Sequence, residues 1–127
     1  AATCISIDEQ VVHGFPSDRI IEEDQIVSVD VGAFFNGFHG DAARSLYVGH
    51  ISPEKKKLID VTRECFFEGI KGICIGSALG DIGAQVQEHA EKNGFSVVRD
   101  SSSIDIHVAA GNPPYPKNDG VAPQDVM

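Results

Sequence analysis

The chain has 127 residues, of which 42% are hydrophobic, and carries a formal net charge of −9 at pH 7 with a sequence pI near 4.8. This length suits one small globular domain and excludes two full domains, and the acidic charge argues against a surface for nucleic acid or an anionic membrane. The three cysteines, Cys4, Cys65 and Cys74, are odd in number and lack C-x-x-C spacing, so neither a disulfide framework nor a zinc knuckle is predicted.

The first segment of the chain begins directly in a predicted strand. Residues 3–7 and Val11–Val12 are rich in β-branched residues and predict two short strands, and residues 13–17 predict a turn-rich loop. The absence of a lead-in suggests that a natural first segment is missing. The N-terminus lacks a signal-peptide pattern and no stretch reaches the roughly 18 apolar residues of a membrane span, so we expect a soluble, cytoplasmic protein.

The next segment predicts a β-hairpin with strands over residues 26–35 and 38–48. The dipeptide Asn36-Gly37 lies between two apolar runs. This is the strongest short hairpin signal, because a type I′ turn needs a positive φ at both central residues. With a two-residue loop, Phe35 faces Phe38, and the register of the whole hairpin follows.

This register places two acidic residues on one face of the hairpin. Asp30 lies opposite Ala43, and Asp41 lies one diagonal step away, roughly 7–8 Å at most. Two like charges this close are costly to desolvate unless a cation or a proton lies between them, so a bridging divalent cation is one interpretation. The other is a solvent-side strand acid and a loop acid, and a one-residue slip would turn Asp30 to the opposite face. His39 shares the face, either as an outer partner of the acids or as a surface histidine.

Two helices are predicted after the hairpin. The first begins with Ser52 as N-cap and Pro53 at the first helical position, and residues 55–57 are three lysines that predict a solvated entry. Its predicted apolar stripe comprises Leu58, Thr62, Cys65, Phe66, Gly69, Ile70 and Ile73. The second helix runs from about Leu79 to Asn93, with Gly94 as its stop. Its predicted inward residues are Ile82, Val86 and Ala90.

The last part of the chain changes in composition. Residues 95–98 predict a strand, but beyond Arg99 the sequence is rich in Ser, Gly and Pro and has little periodicity. The chain is therefore divided into a domain over residues 1–100 and a divergent, loop-rich tail of the same domain over residues 101–127.

Several of these segments, in this order and spacing, resemble methionine aminopeptidases of type 1. The matching stretches are residues 3–7, 11–16, 27–32, 37–41, 80–83 and 92–99. The resemblance implies an α+β, partial pita-bread (creatinase/aminopeptidase-like) fold, with an antiparallel sheet and two packed helices. Residues 1–100 then form an aminopeptidase-like domain.

The resemblance also implies a function and a set of site residues. Such enzymes use metal-activated water to remove the initiator methionine from the N-termini of nascent peptides, and no nucleic-acid or membrane partner is expected. Two aspartates, one histidine and two glutamates hold two divalent ions (Mn, Fe, Co or Zn). Asp30 and Asp41 match the aspartates. His13 matches the substrate-contacting histidine of the family's His-Gly loop and is a catalytic candidate.

The sequence departs from the family after Arg99. No Gly-His-Gly turn occurs there. His107 aligns, after a shift of a few residues, with either the family's histidine ligand or its histidine near the scissile bond. It is therefore both a metal-ligand and a catalytic candidate. The two glutamates are expected beyond residue 127, so this chain is expected to hold two metal ions, one or none, and its activity is left open.

Two functional hypotheses therefore remain. The first is a methionine aminopeptidase whose site is incomplete in this chain, because the sequence is truncated at both ends or because another copy or chain completes the site. The alternative is a catalytically inactive, aminopeptidase-derived structural or interaction module. In either case an incomplete fold leaves apolar surface uncovered, and self-association is expected. The aromatic residues expected at that surface are Phe34, Phe35, Phe66 and Phe67.

Overall fold

The computed structural model describes residues 2–98 and 108–109. These residues form, in chain order, β1 (Ala2–Ile7), β2 (Ile26–Phe35), β3 (Phe38–Tyr47), α1 (Pro53–Lys71), α2 (Leu79–Lys92), β4 (Ser96–Val97) and β5 (Val108–Ala109). The chain divides into two compact units, of which the first runs to Ile59 and the second starts at Asp60. The predicted α+β class is confirmed.

The first unit contains a three-stranded antiparallel sheet in the order β1-β2-β3. A turn at Asn36-Gly37 joins β2 to β3, and both turn residues have positive φ, 53° and 85°, as a type I′ turn requires. Phe35 pairs with Phe38, and the pairing continues to Ile26 opposite Tyr47. The predicted hairpin and its register are confirmed.

The prediction of a second short strand at residues 11–12 is wrong. The chain turns at Asp8, which has φ 50°, and again at His13, which has φ 57°. Between these turns the Gln10 N–H donates to the Ile7 carbonyl over 3.1 Å and the Gln10 side-chain carbonyl accepts the Ile7 N–H over 3.2 Å. Just after the second turn, the Ile5 N–H donates to the Gly14 carbonyl over 2.8 Å. The two turns leave no room for a ladder, so the β propensity of Val11 and Val12 is overridden.

A polar cluster of Asp8, Asp24 and Lys55 ties the ends of β1, β2 and α1 together. Asp8 accepts the Ile26 N–H over 3.0 Å, and Asp24 accepts the Ser52 N–H over 2.6 Å. The Lys55 ammonium lies 3.5 Å from the Asp8 carboxylate and 3.4 Å from that of Asp24. The hydrogen bond from Ser52 is the main reason that the pKa of Asp24 is lowered. Lys55 is therefore half-buried and paired, which corrects the prediction that it is merely solvated.

In the second unit, α1 and α2 pack through small and branched residues. Cys65 of α1 is fully buried, and its Sγ lies 3.7 Å from the Val86 carbonyl oxygen of α2. Gly69 lies one turn further along α1, where an added Cβ would be 2.8 Å from Val86 Cγ2. The burial of Val86 and Ala90 confirms the predicted inward face of α2.

The predicted stripe of α1 is only partly correct. Cys65 and Gly69 are buried as expected, but Phe66 and Ile70 are exposed, and Val61 is buried although the pattern omits it. The buried residues are spaced four apart, which follows the row of side chains nearest α2. Helical periodicity alone defines a wider stripe than this narrow contact, and therefore included residues on its flank.

The remaining elements complete the second unit. The Asp81 carboxylate accepts the Ala78 N–H over 2.8 Å at the start of α2, and Gly94, with φ 84°, ends that helix as predicted. β4 pairs antiparallel with β5. The rest of the predicted tail lies outside the described residues, so the division at residue 100 stays a prediction. Neither described helix is long and apolar enough to cross a membrane.

Candidate metal centre

The two predicted metal ligands, Asp30 and Asp41, lie on neighbouring strands. Asp30 pairs with Ala43, and Asp41 pairs with Gly32. Gly32 is two residues beyond Asp30, and side chains alternate between the two faces of a strand, so both carboxylates belong to the same face. They occupy a diagonal cross-strand position, for which the separation is about 7–8 Å. The hairpin therefore brings the two acids together as the sequence predicts.

This position suits a divalent cation. Carboxylates are hard oxygen donors of the kind that such cations accept. Asp30 is half-buried and Asp41 is exposed. A Cβ at Gly32, across from Asp41, would meet no atom within 4 Å, so the space beside the acids is open. The donor type and the open space both fit a bound cation.

The described residues supply only this pair. Among residues 2–98 and 108–109 no group of three or more His, Cys, Asp or Glu side chains is close enough to hold a metal ion. A hard cation takes about six oxygen ligands, part of which water can provide. His107, the third predicted ligand, lies outside the described residues, so its place relative to the acids stays a prediction.

Other residues of the same face have partners of their own. The hydroxyl groups of Ser28 and Ser45 are 2.9 Å apart, and the rings of Phe34 and His39 lie with their centroids 4.7 Å apart. Cys4 of β1 pairs with Asp30 and thus shares the face as well. The sequence does not identify Cys4 as a neighbour of the acids, because the long connection between β1 and β2 does not fix their register.

His13 is held beside β1 by the residue that follows it. Gly14 is buried, and its N–H donates to the Ser6 hydroxyl over 3.1 Å while its carbonyl accepts the Ile5 N–H over 2.8 Å. An added Cβ on Gly14 would overlap the Ile5 carbonyl oxygen, so only glycine fits. Ile5 and Ser6 pair with Val29 and Ser28 of β2. The His13 loop thus lies about 10 Å, or two strand spacings, from the strand that carries Asp30.

Comparison of the chain with known proteins identifies the family to which it belongs. The model of metallopeptidase family M24 matches residues 1–121. The chain belongs to metallopeptidase family M24. It is 50% identical over 100 residues to a methionine aminopeptidase of Clostridium perfringens, covering 79% of this chain and 40% of that protein.

Solved structures give the same result. The crystal structure of methionine aminopeptidase from Thermotoga maritima matches with a TM-score of 0.74 and 46% identity, over 77% of this chain and 40% of that one. The methionine aminopeptidase from Rickettsia prowazekii matches with a TM-score of 0.76 and 38% identity, over 93% of this chain and 49% of that one. The M24 chain thus spans less than half the length of these relatives.

These matches confirm the resemblance to methionine aminopeptidases and the partial pita-bread fold. M24 enzymes are metallopeptidases, which agrees with the class of chemistry predicted for the paired acids. None of the comparisons favours the alternative of an inactive structural module. The individual roles of Asp30, Asp41, His13 and His107 remain predictions.

Proposed function

We propose that the protein is a metal-dependent methionine aminopeptidase that removes N-terminal methionine from nascent peptides. The observation that carries this proposal is the Asp30–Asp41 pair, which lies on one face of a hairpin in a chain of a metallopeptidase family. The 50% identity to a methionine aminopeptidase supports the choice of substrate.

Each predicted site residue has a role in this proposal. Asp30 and Asp41 would supply carboxylate oxygens to bound divalent ions of Mn, Fe, Co or Zn. When bound, such ions lower the pKa of water and polarise a peptide carbonyl. His107 serves either as a further ligand or as the histidine near the scissile bond. His13 contacts the substrate from its loop beside β1.

The test is hydrolysis of a Met-Ala-Ser peptide with added Mn²⁺ or Co²⁺. We expect metal-dependent release of methionine. In Asp41→Asn the rate of release should fall on the order of 10³-fold or more, because removing one residue of a site that acts as a unit disables the whole site. Asp18→Asn is the matched control, since it removes the same charge from an exposed loop residue. An absence of turnover, or equal turnover in the two variants, would contradict the proposal.

We also propose that the protein acts in the cytoplasm on nascent chains and self-associates through its exposed aromatic residues. These residues, Phe34, Phe35, Phe66 and Phe67, are between 50% and 79% exposed. Large exposed apolar patches are uncommon on stable monomers. A strict monomer in sedimentation at high concentration would rule out self-association, and recovery of the protein outside the cytoplasmic fraction would rule out the location.

A further inference from the structure

Ser6 is a buried polar residue that is not among the proposed metal ligands or substrate contacts. It lies in β1, is 4% exposed, and accepts the N–H of Gly14 on its hydroxyl oxygen over 3.1 Å. That N–H belongs to the peptide group that joins His13 to Gly14. Because a peptide group is planar and rigid, a hydrogen bond to its N–H also fixes the direction of the His13 carbonyl and restrains the His13 backbone.

His13 needs such a restraint because its backbone lies in the left-handed region, with φ 57°. This region is disfavoured for residues that carry a Cβ and persists only where the surroundings hold it. The Ser6 hydroxyl accepts the Gly14 N–H and the Ile5 N–H donates to the Gly14 carbonyl, so the peptide groups on both sides of Gly14 are held by hydrogen bonds. The Gly14 backbone lies so close to the Ile5 carbonyl that no side chain fits there. The conformation of His13 is thus imposed by β1.

β1 also connects this loop to the candidate metal centre. Ser6 pairs with Ser28 and Ile5 pairs with Val29, and these β2 residues immediately precede Asp30. Ser6 therefore joins the loop that presents His13 to the strand that carries one of the two acids. A displacement of the Gly14 amide by a few tenths of an ångström changes where an exposed imidazole is presented relative to those acids.

We propose that Ser6 is a positioning residue, whose hydroxyl holds the His13–Gly14 peptide and so sets the presentation of the His13 imidazole to the substrate. This inference rests on the proposed function, in which His13 contacts the peptide. It assigns Ser6 a role through His13 and no direct contact with the reacting atoms.

The main experiment is a double-mutant cycle on hydrolysis of the Met-Ala-Ser peptide with Mn²⁺. Ser6→Ala should lower kcat/KM by about tenfold, a typical cost of a lost buried hydrogen bond. In a His13→Ala background the same change should lower kcat/KM by less than about twofold, because two residues that act through one another have non-additive effects. Ser6→Thr, which keeps the hydroxyl, should restore most of the activity. An equal factor in both backgrounds would overturn the proposal.

The matched control is Ser96→Ala. Ser96 is also a buried serine, 8% exposed, but its hydroxyl has no hydrogen-bond partner in the described part of the chain. Its truncation should change kcat/KM by less than about twofold, because no hydrogen bond is lost. If Ser96→Ala and Ser6→Ala had the same effect, the loss would reflect general damage to packing, and the positioning role would be refuted.

A second readout does not depend on catalysis. In Ser6→Ala the Gly14 amide should exchange with solvent at least about tenfold faster, and the NMR shifts of the His13 ring should change. If the wild-type protein shows no turnover, the proposed function fails, while these two observations still decide the positioning role. Unchanged Gly14 exchange or unchanged His13 shifts would overturn it. If Ser6→Ala does not fold, Ser6→Cys gives the same comparison, because a thiol is only a weak acceptor.

Discussion

Gly69→Ala places a methyl group at the closest approach of α1 to α2. The new Cβ would lie 2.8 Å from Val86 Cγ2 and 3.3 Å from Ile82 Cγ2, and contacts below 3.0 Å require a neighbour to move. Val86 is buried and β-branched, so its side chain has little freedom to rotate away. Overpacking of this kind costs about 1–3 kcal/mol, whereas replacing Gly by Ala in a helix interior returns about 1 kcal/mol. The cost of the clash exceeds the gain in helix propensity, and the net loss of stability should be about 1 kcal/mol.

Gly83→Ala is the matched control for this change. Gly83 lies within α2, is exposed, and an added Cβ would meet no atom within 4 Å. The same substitution should therefore stabilise the protein by about 0.5–1 kcal/mol. The assay is urea unfolding followed by circular dichroism, with thermal melting as a check, where 1 kcal/mol corresponds to a shift of about 4–8 °C for a small domain. The two variants should move in opposite directions.

A second substitution isolates the clash from the helix propensity. Val86→Ala removes the methyl group that Gly69→Ala would strike, so in that background Gly69→Ala should become stabilising by up to about 1 kcal/mol. If Gly69→Ala stabilises the protein in both backgrounds, α1 and α2 do not pack closely at Gly69. The interpretation of Gly69 as a contact residue would then be wrong.

Two further predictions concern the polar cluster and the thiols. The pKa of Asp24 is lowered, chiefly by the Ser52 N–H, so the carboxylate stabilises the fold above its unfolded pKa and loses that contribution as the pH falls through the folded pKa. Below about pH 4 the unfolding free energy of Asp24→Asn should therefore fall less steeply with decreasing pH than that of the wild type, whereas Asp18→Asn should leave this slope unchanged. The wild-type slope in Asp24→Asn would count against the cluster. Burial raises the pKa of the Cys65 thiol, whereas Cys74 is exposed, so a thiol reagent should label Cys74 in the native protein and Cys65 only in denaturant. Equal labelling rates would disprove the burial of Cys65.

The part of the site that lies in the hairpin could be predicted from the sequence, because its determinants are local. Asn36-Gly37 selects one turn type, that turn fixes one register, and the register places Asp30 and Asp41 on one face. Each step depends on residues close in the chain. The same logic gave the end of α2 at Gly94, where a positive φ is required.

The parts that could not be predicted depend on contacts between distant segments. The pairing of Cys4 with Asp30 follows from the register of β1 against β2, which no tight turn specifies. The loop at Val11–Val12 follows from the way Gly14 lies on β1, which outweighs the β propensity of two valines. The exposure of Phe66 likewise depends on where α2 crosses α1, and not on the periodicity of α1.

If Asp30 and Asp41 act together as metal ligands, Mn²⁺ binding followed by electron paramagnetic resonance should depend on both carboxylates. Asp30→Asn and Asp41→Asn should each weaken Mn²⁺ binding by about tenfold or more, equivalent to about 1.4 kcal/mol, while Asp18→Asn should stay within about twofold of the wild type. That pattern would assign the cation to the paired carboxylates and not to the general negative charge. Wild-type Mn²⁺ affinity in Asp41→Asn would show that the two carboxylates do not bind the cation together.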